Sequence, residues 1–255
     1  MALEPQRSQY RQLADLLRDA IMAGDYPPGS TLPSEPVLAE RYSVSRPTVN
    51  RAISILRNEG VVRVQRGRGT IVRPIPVIHR QAMSRYLQAA REESGGRGAF
   101  DSEIRALGMT PRSDVEVSRV VPPPAVAQAL GLAEGETNTV MRKRRMYVND
   151  VPVQLAPSYI PADIASGTAL EQTDSGPGGI ISRFADLGHA QVRITENVRV
   201  RRATDEEQTF LQLEDEEPVI EIFHTGWTAA DRAVEVCVHS VPAYLWTLDY
   251  GWPIA

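Results

Sequence analysis

The sequence predicts an α/β chain of the α+β kind in two parts: a small helical head closed by a β-hairpin, and a larger body of strands with flanking helices. Two patterns carry this. Residues 9–58 hold three successive sets of apolar side chains at 3.6-residue spacing, whereas from residue 99 alternation with period two dominates. Between them RPIPVIHR, residues 73–80, has two prolines and little periodicity, which reads as extended linker. The expected organisation is therefore 1–73 for the head, 74–98 for a linker with a short helix at 81–93, and 99–255 for the body. A length of 255 residues suits one large or two modest domains.

In the head, Tyr10, Leu13, Ala14, Leu17 and Ile21 fall on one face of a helix at 9–22, which Gly24 and DYPPG at 25–29 end. Ser34 is the expected N-cap of a second helix, with Glu35 and Pro36 suited to its first turn and Val37, Leu38 and Tyr42 on its buried side. Ser45 caps a third, in which Val49, Ala52, Ile53 and Leu56 follow the i, i+3, i+4, i+7 rule. Residues 61–64 and 70–72 flank the turn QRGRG, a β-hairpin. Three helices and a hairpin in about 65 residues describe a winged helix-turn-helix.

The body begins with a strand at 115–121, then Pro122–Pro124 leading into a short helix that Gly131 ends. Residues 139–148 and 151–159 form a hairpin turning at Asn149-Asp150. The glycine-rich DSGPGG at 174–179 precedes a helix, 192–200 is strand-like, and Thr204 with Glu207 forms a capping box for a helix at 205–213. A last hairpin, 219–228 and 234–241, turns near Asp231.

Composition excludes several classes. With 42% hydrophobic and 24% charged residues the chain can bury a core, which rules out collagen-like and fully disordered proteins. Cys237 is the only cysteine, so neither an internal disulfide nor a cysteine-rich zinc site can form. No apolar run approaches a membrane span and the amino terminus lacks a signal-peptide stretch, so a cytoplasmic protein without membrane contact is expected. The net charge of −4 conceals an asymmetry. Residues 1–75 hold 11 basic and 7 acidic side chains, and the remaining 180 hold 17 and 25. Between 40 and 73 eight arginines face only Glu40 and Glu59, a local footprint of the kind a phosphate backbone selects.

On the third helix the apolar face leaves Arg46, Pro47, Asn50 and Arg51 on another side, and the i, i+4 pair Arg46 and Asn50 projects from its amino-terminal end. Recognition helices present that end to the major groove, where arginine reads guanine or a phosphate and asparagine can read adenine. Hydroxyls of Ser34, Ser45 and Thr48 can donate to phosphates at two helix N-termini. These residues carry a resemblance. Residues 29–72, through LPSE at 32–35, VSRPTV at 44–49 and GRGT at 67–70, resemble the winged-helix domain of GntR-family transcription regulators. The resemblance implies operator contacts from Arg46 and Thr48, and a wing of Arg66, Arg68, Gly69 and Thr70 entering the minor groove; Glu35 belongs to the same motif. Asn50 departs from the family's usual arginine, with Arg51 beside it.

The body resembles the UTRA domain of the HutC subfamily, a chorismate-lyase-like fold with an antiparallel sheet and flanking helices. The matching stretches are 99–113, 144–161 and 232–236. The resemblance implies a homodimer on a palindromic double-stranded operator, with a small-molecule effector in the body. Period two puts Arg142, Arg144 and Met146 on one strand face. Arg144 matches a family arginine for anionic effectors, while Met146 and Ala156 replace polar family residues and disfavour a phosphosugar. Phe100 and Asp101 match a loop lining the family's pocket, and Glu235 matches a position near the ligand, on the same face as Cys237 and His239. Gly178 and Gly179 offer backbone N–H groups at a helix start, and Tyr159 and His224 complete the expected effector contacts. No cofactor and no metal are expected; His224, Cys237 and His239 could converge but lack a recognised metal spacing. Two rival readings remain: a DNA-binding scaffold with a purely structural dimerisation domain, and an enzyme of chorismate-lyase-like fold.

Overall fold

The amino-terminal core forms because three amphipathic helices and a hairpin each turn one apolar face inward. A computed structural model describes residues 8–65, 67–82, 85, 98–176 and 178–252, and the chain divides into compact units Met1–Val77 and Ile78–Ala255. In the first unit, α1 (Gln9–Met22) buries Leu13, Ala14 and Leu17, α2 (Glu35–Arg41) buries Leu38, and α3 (Arg46–Asn58) buries Val49, Ala52, Ile53 and Leu56. These close over Leu32, Val62 and Val72; each fully buried leucine or valine contributes about 1.5–3 kcal/mol of transfer free energy. Arg18 of α1 ties to Glu59 just beyond α3 with bonds of 3.0 and 2.8 Å.

The wing is β1 (Val62–Gln65) antiparallel to β2 (Gly69–Val72), in register from Val62 opposite Val72 to Gln65 opposite Gly69. The Leu32 amide donates to Thr70 (2.7 Å) and the Val72 amide to Ser30 (2.9 Å), so residues 30–32 run beside β2 as a third edge. Gly69 has φ +92°, and a Cβ there would stand 3.3 Å from the Thr31 methyl, so both conformation and space call for glycine.

Two expectations for the head change. Val37 is 45% exposed, because a seven-residue helix has room for little beyond Leu38 on its inner line. Ser34 occupies the N-cap position, but its hydroxyl accepts no bond from the helix.

The second unit is a six-stranded antiparallel sheet among the described residues. Its strands are β4 (Pro111–Val120), β5 (Thr139–Val148), β6 (Val151–Pro161), β7 (Arg193–Arg202), β8 (Pro218–Trp227) and β9 (Ala233–Pro242), in the order β4-β5-β6-β9-β8-β7. The β5–β6 hairpin turns at Asn149 and Asp150, with φ of +47° and +63°, the double positive that a two-residue hairpin with right-handed strand twist requires. The Asn149 side chain also accepts from the Thr110 amide at 2.9 Å, which fixes the start of β4 beside the turn. β4 begins earlier than the apolar alternation indicated, because its first residues form an edge with mostly exposed side chains.

Helices cover both faces. On one lie α4 (Ala99–Ala106), α6 (Ala162–Ala165), the short 3-10 turn Ala169–Glu171 and α7 (Gly179–Asp186), and Phe184, Leu170 and Ile164 pack there on Val140 and Ile160. On the other, α5 (Pro124–Leu130) packs Val126 and Leu130 on Tyr159 and Val236, and α8 (Asp205–Leu211) buries Leu211 on Val219. Residues 78–81, read from sequence as linker, form β3 (Ile78–Gln81), which pairs in parallel with β10 (Trp246–Asp249) at the other end of the unit. Residues 99–106, where a pocket-lining loop was expected around Phe100 and Asp101, are helical. The short helix expected at 81–93 and the glycine break after it fall largely outside the described residues. No helix among the described residues is long and apolar enough to cross a membrane.

The capping box of α8 is complete: Thr204 accepts from the Glu207 amide (3.3 Å) and Glu207 from the Thr204 amide (2.8 Å). Burial alone would raise the Glu207 carboxyl, but hydrogen bonds from Arg201, Ser240 and the Thr204 backbone overcome it and set it at about 2. Its folded value lies below the ordinary carboxylate range. The stabilisation is thus present above about pH 4 and is lost as pH falls toward 2. Thr204→Ala is expected to destabilise this unit by about 1 kcal/mol, read as a lower urea midpoint. Glu207→Gln should flatten the fall of that midpoint between pH 5 and pH 2, and an unchanged profile would contradict the assignment.

Candidate functional site

Two surfaces, one on each unit, collect most of the residues singled out from the sequence. On the first unit, Ser45 caps α3: its hydroxyl accepts from the Thr48 amide at 3.3 Å and meets the Thr48 hydroxyl at 2.9 Å. That bond holds Ser45 and Thr48 together at the helix start, where unsatisfied amides and the helix dipole favour an anion. Arg46, Pro47, Asn50 and Arg51 are exposed around it. Among the described residues no carboxylate lies within 4.0 Å of Arg46, Arg51 or Arg68. Arg51 instead lies 5.9 Å from the centroid of the Tyr10 ring of α1, within cation–π reach. Ser34 and Glu35 stand at the start of α2, Arg68 and Gly69 are exposed on the wing, and Thr70 is half-buried. Arg66 lies outside the described residues.

On the second unit a cavity of about 700 Å³ opens over one face of the sheet, beneath α4 and the loop leading to α7. It is lined by Phe100, Asp101, Arg142, Arg144, Gly178, Gly179, His224 and Glu235, all anticipated from sequence. Tyr159 is the exception. It lies on the other sheet face, 9% exposed against Val126 and Leu130, because in β6 the residue opposite Arg142 is Ser158, one position away. Burial pushes its phenol up.

The strand register explains who meets whom. Arg144 lies opposite Ala156, and Ser158 is opposite Cys237, which is opposite His224. Four strands thereby bring Arg144, Cys237, His224 and His239 onto one floor. The two arginines are used differently. Arg142 is 3% exposed and donates to the carbonyls of Leu170 (2.9 Å), Gln172 and Thr173 (3.1 Å), fastening the loop that roofs the cavity. Burial and the neighbouring Arg144 charge press its pKa down. Arg144 donates to the Ala156 carbonyl (3.2 Å), the Ser158 hydroxyl (3.0 Å) and the Cys237 sulfur (3.1 Å). Neither has a carboxylate within 4.0 Å among the described residues.

The remaining polar groups complete the wall. Glu235 accepts from Gln191 Nε2 at 3.0 Å. Gly178 starts α7 with φ +84°, and a Cβ there would stand 2.2 Å from the Ser182 hydroxyl, so only glycine fits. Asp174 accepts from the Gly176 amide at 2.8 Å and shapes the turn before it. Burial holds His239 well below its ordinary value, so its neutral ring accepts from Gln154 Nε2 at 2.8 Å. Gln154, Arg85 and Ser113 also line the cavity and were not singled out from sequence; Gln154 reaches it because a bulge in the β5–β6 hairpin sets it, rather than Val153, opposite Met146.

His224, Cys237 and His239 do converge on this floor, yet no group of three His, Cys, Asp or Glu among the described residues is placed to hold a metal ion. Burial also pushes the Cys237 thiol up against the pull of Arg144, and its sulfur stands 3.9 Å from His239 Nδ1. The set is poor in activated nucleophile and rich in hydrogen-bond donors.

Residues 9–72 match the family described as bacterial regulatory proteins, gntR family, and residues 106–243 match the UTRA domain. An HTH-type transcriptional regulator of Streptomyces coelicolor is 33% identical over 98% of this chain and 96% of its own length. The HTH-type transcriptional repressor NagR of Bacillus subtilis is 28% identical, covering 89% of this chain and 87% of its own. Among solved structures, PhnF from Mycobacterium smegmatis superposes with a TM-score of 0.60 at 21% identity over 95% of this chain and 99% of its own, a likeness of fold. These domains and relatives are transcription regulators rather than enzymes. The chain belongs to the GntR family of DNA-binding transcription regulators, with a UTRA domain as its effector-binding part.

Proposed function

We propose that this regulator is a cytoplasmic, homodimeric repressor of the HutC subfamily whose grip on a palindromic operator changes when a small anionic molecule enters the UTRA cavity. The observation that carries the reading is the cavity floor: Arg142 and Arg144 are two guanidinium groups with no carboxylate within 4.0 Å among the described residues. An uncompensated charge taken out of water is costly, and an anionic ligand offsets that cost for Arg144. Arg142, held by three carbonyls, shapes the site without being its free donor. The Gly178 amide and the Phe100 ring would complete the contacts, with Asp101 and Glu235 as acceptors for hydroxyl or amino groups of the ligand; the Gly179 amide is already given to the Gly176 carbonyl at 3.2 Å. Met146, buried at the wall, gives the cavity an apolar side chain beside Arg144. NagR, a named repressor, supports the sign of regulation.

In the operator complex Arg46, Asn50 and Arg51 would face base edges or phosphates, and Ser34, Glu35, Ser45, Pro47 and Thr48 would set the helix starts against the backbone. Arg66, Arg68, Gly69 and Thr70 would carry the wing into the minor groove. Two copies about a two-fold axis match half-sites about one helical turn apart.

Replacing Arg46 by Ala is expected to weaken specific operator binding by about 1–3 kcal/mol in fluorescence anisotropy at fixed salt; unaltered affinity would remove Arg46 from the interface. The sensing part is tested by thermal shift with a panel of small carboxylates, phosphates and sulfates at constant ionic strength. A ligand at about 100 times its Kd raises folded-state stability by about 2.7 kcal/mol, and Arg144→Gln should abolish the shift. A panel that leaves the wild-type melting point unmoved would favour a structural role for the domain. Arg142→Ala, in contrast, should lower the melting point without any ligand, because it leaves the buried Leu170 carbonyl unpaired, at about 1–3 kcal/mol, and releases the Gln172 and Thr173 carbonyls.

A further inference from the structure

We propose that the short ribbon of β3 and β10 is the element that reads the state of the cavity, through two contacts: His224 to Glu196 to Arg80, and Phe100 to Trp246. The inference rests on the cavity being the effector site and adds how its state leaves it.

The ribbon stands where such an element has to stand. Val77 is the last residue of the DNA-binding unit and Ile78 the first of the UTRA unit, so β3 is the strand by which the second unit takes up the chain from the first. It is a weak element by itself. Four residues pair with four, from Ile78 opposite Trp246 to Gln81 opposite Asp249, and an isolated two-stranded ribbon is marginal in water. Its order must come from side chains anchored outside it.

Those anchors are buried. Arg80, 2% exposed, grips Glu196 of β7 with two guanidinium nitrogens, one of them at 2.9 Å. The same carboxylate accepts from His224 Nδ1 at 3.1 Å and from the Tyr250 hydroxyl at 2.9 Å. Trp246 of β10, 3% exposed, donates its indole N–H to the Val153 carbonyl (3.1 Å) and stacks on Phe100, with centroids 6.5 Å apart and planes 27° apart.

The cavity reaches both anchors. His224 and Phe100 line it. A ligand that displaces either residue alters the hold on one strand of the ribbon: through His224 it changes how the Glu196 carboxylate is shared with Arg80, and through Phe100 it changes the bed of Trp246. Arg80, Glu196 and His224 are therefore positioning residues, acting on the linker strand rather than on DNA or ligand chemistry.

The test uses the full chain and needs no ligand. Amide hydrogen exchange is measured for residues 78–82 and 246–249, with β5 and β6 as internal reference, together with operator affinity. His224→Leu and Phe100→Leu should each speed exchange in the ribbon by about tenfold while β5 and β6 stay protected. Each should also change operator affinity by at least about fivefold. His224→Asn, whose amide nitrogen stands where Nδ1 stood and keeps an N–H for Glu196, should restore most of both. Arg80→Lys keeps the charge but not the fork; it should loosen the ribbon similarly, and it stands in if His224→Leu does not fold. Wild-type exchange in the ribbon for a folded His224 or Arg80 variant, or ribbon loosening with unchanged operator affinity, would overturn the proposal. A cavity that binds nothing in thermal shift would sink the sensing reading instead, so the two failures are told apart.

Discussion

The register of the six-stranded sheet is the constraint on which the rest of the UTRA unit depends. Side chains alternate with period two, so slipping one strand by a single residue would exchange its two faces. The turn at Asn149 and Asp150, both with positive φ, and the bulge that follows it between Tyr147 and Met146 set β5 against β6, so that Arg142, Arg144 and Met146 face the cavity while Tyr159 packs under α5. The β6–β9 and β8–β9 pairings then set Cys237, Glu235, His239 and His224 beside them.

The arginines of the UTRA unit meet two kinds of partner. Away from the cavity, Arg201 bonds Glu207 at 2.7 Å and Glu221 at 2.6 Å, and Arg199 bonds Glu221 at 2.6 Å. Each carboxylate there meets a guanidinium, and the carboxyls sit below their ordinary values once burial is overcome by those bonds. In the cavity floor Arg142 and Arg144 turn to carbonyls, a hydroxyl and a thiol instead, while on the same face Arg80 pairs with Glu196 and Arg85 with Glu103. A paired network fixes structure, whereas a guanidinium held only by neutral acceptors keeps its capacity to attract an anion. The DNA-binding unit repeats the distinction. Arg18 pairs with Asp15 and Glu59 to join helices, while Arg46, Arg51 and Arg68 remain without carboxylate partners among the described residues.

Much of this was legible in the sequence because the local signals were strong. Helical spacing named the core of the first unit, the Thr204–Glu207 pair announced a capping box, and Asn149-Asp150 announced a hairpin; all three are formed. Eight of the nine residues expected around the effector line the cavity, and Arg46, Pro47, Asn50 and Arg51 are exposed on α3. What was not legible depended on distant partners. β3 and β10 are four residues each, too short to show a period, and they pair between opposite ends of the unit. Phe100 and Asp101 begin an eight-residue helix whose start, at Gly98, carries no side-chain cap. Tyr159 was misplaced for a reason absent from the sequence: an uninterrupted two-residue hairpin would set Arg144 opposite Leu155 and Tyr159 on the cavity side, and the bulge beyond Met146 shifts the pairing by one residue, to Ala156 and Ser158.

If cavity and operator surface are coupled, the coupling is a free energy and must be reciprocal. The most direct test is therefore a linkage measurement with whichever small anion stabilises the protein. Its Kd is determined with and without saturating operator, and the operator Kd with and without saturating anion. The account predicts that both affinities change by the same factor, about fivefold or more. An anion that binds the cavity yet leaves operator affinity unchanged would contradict it.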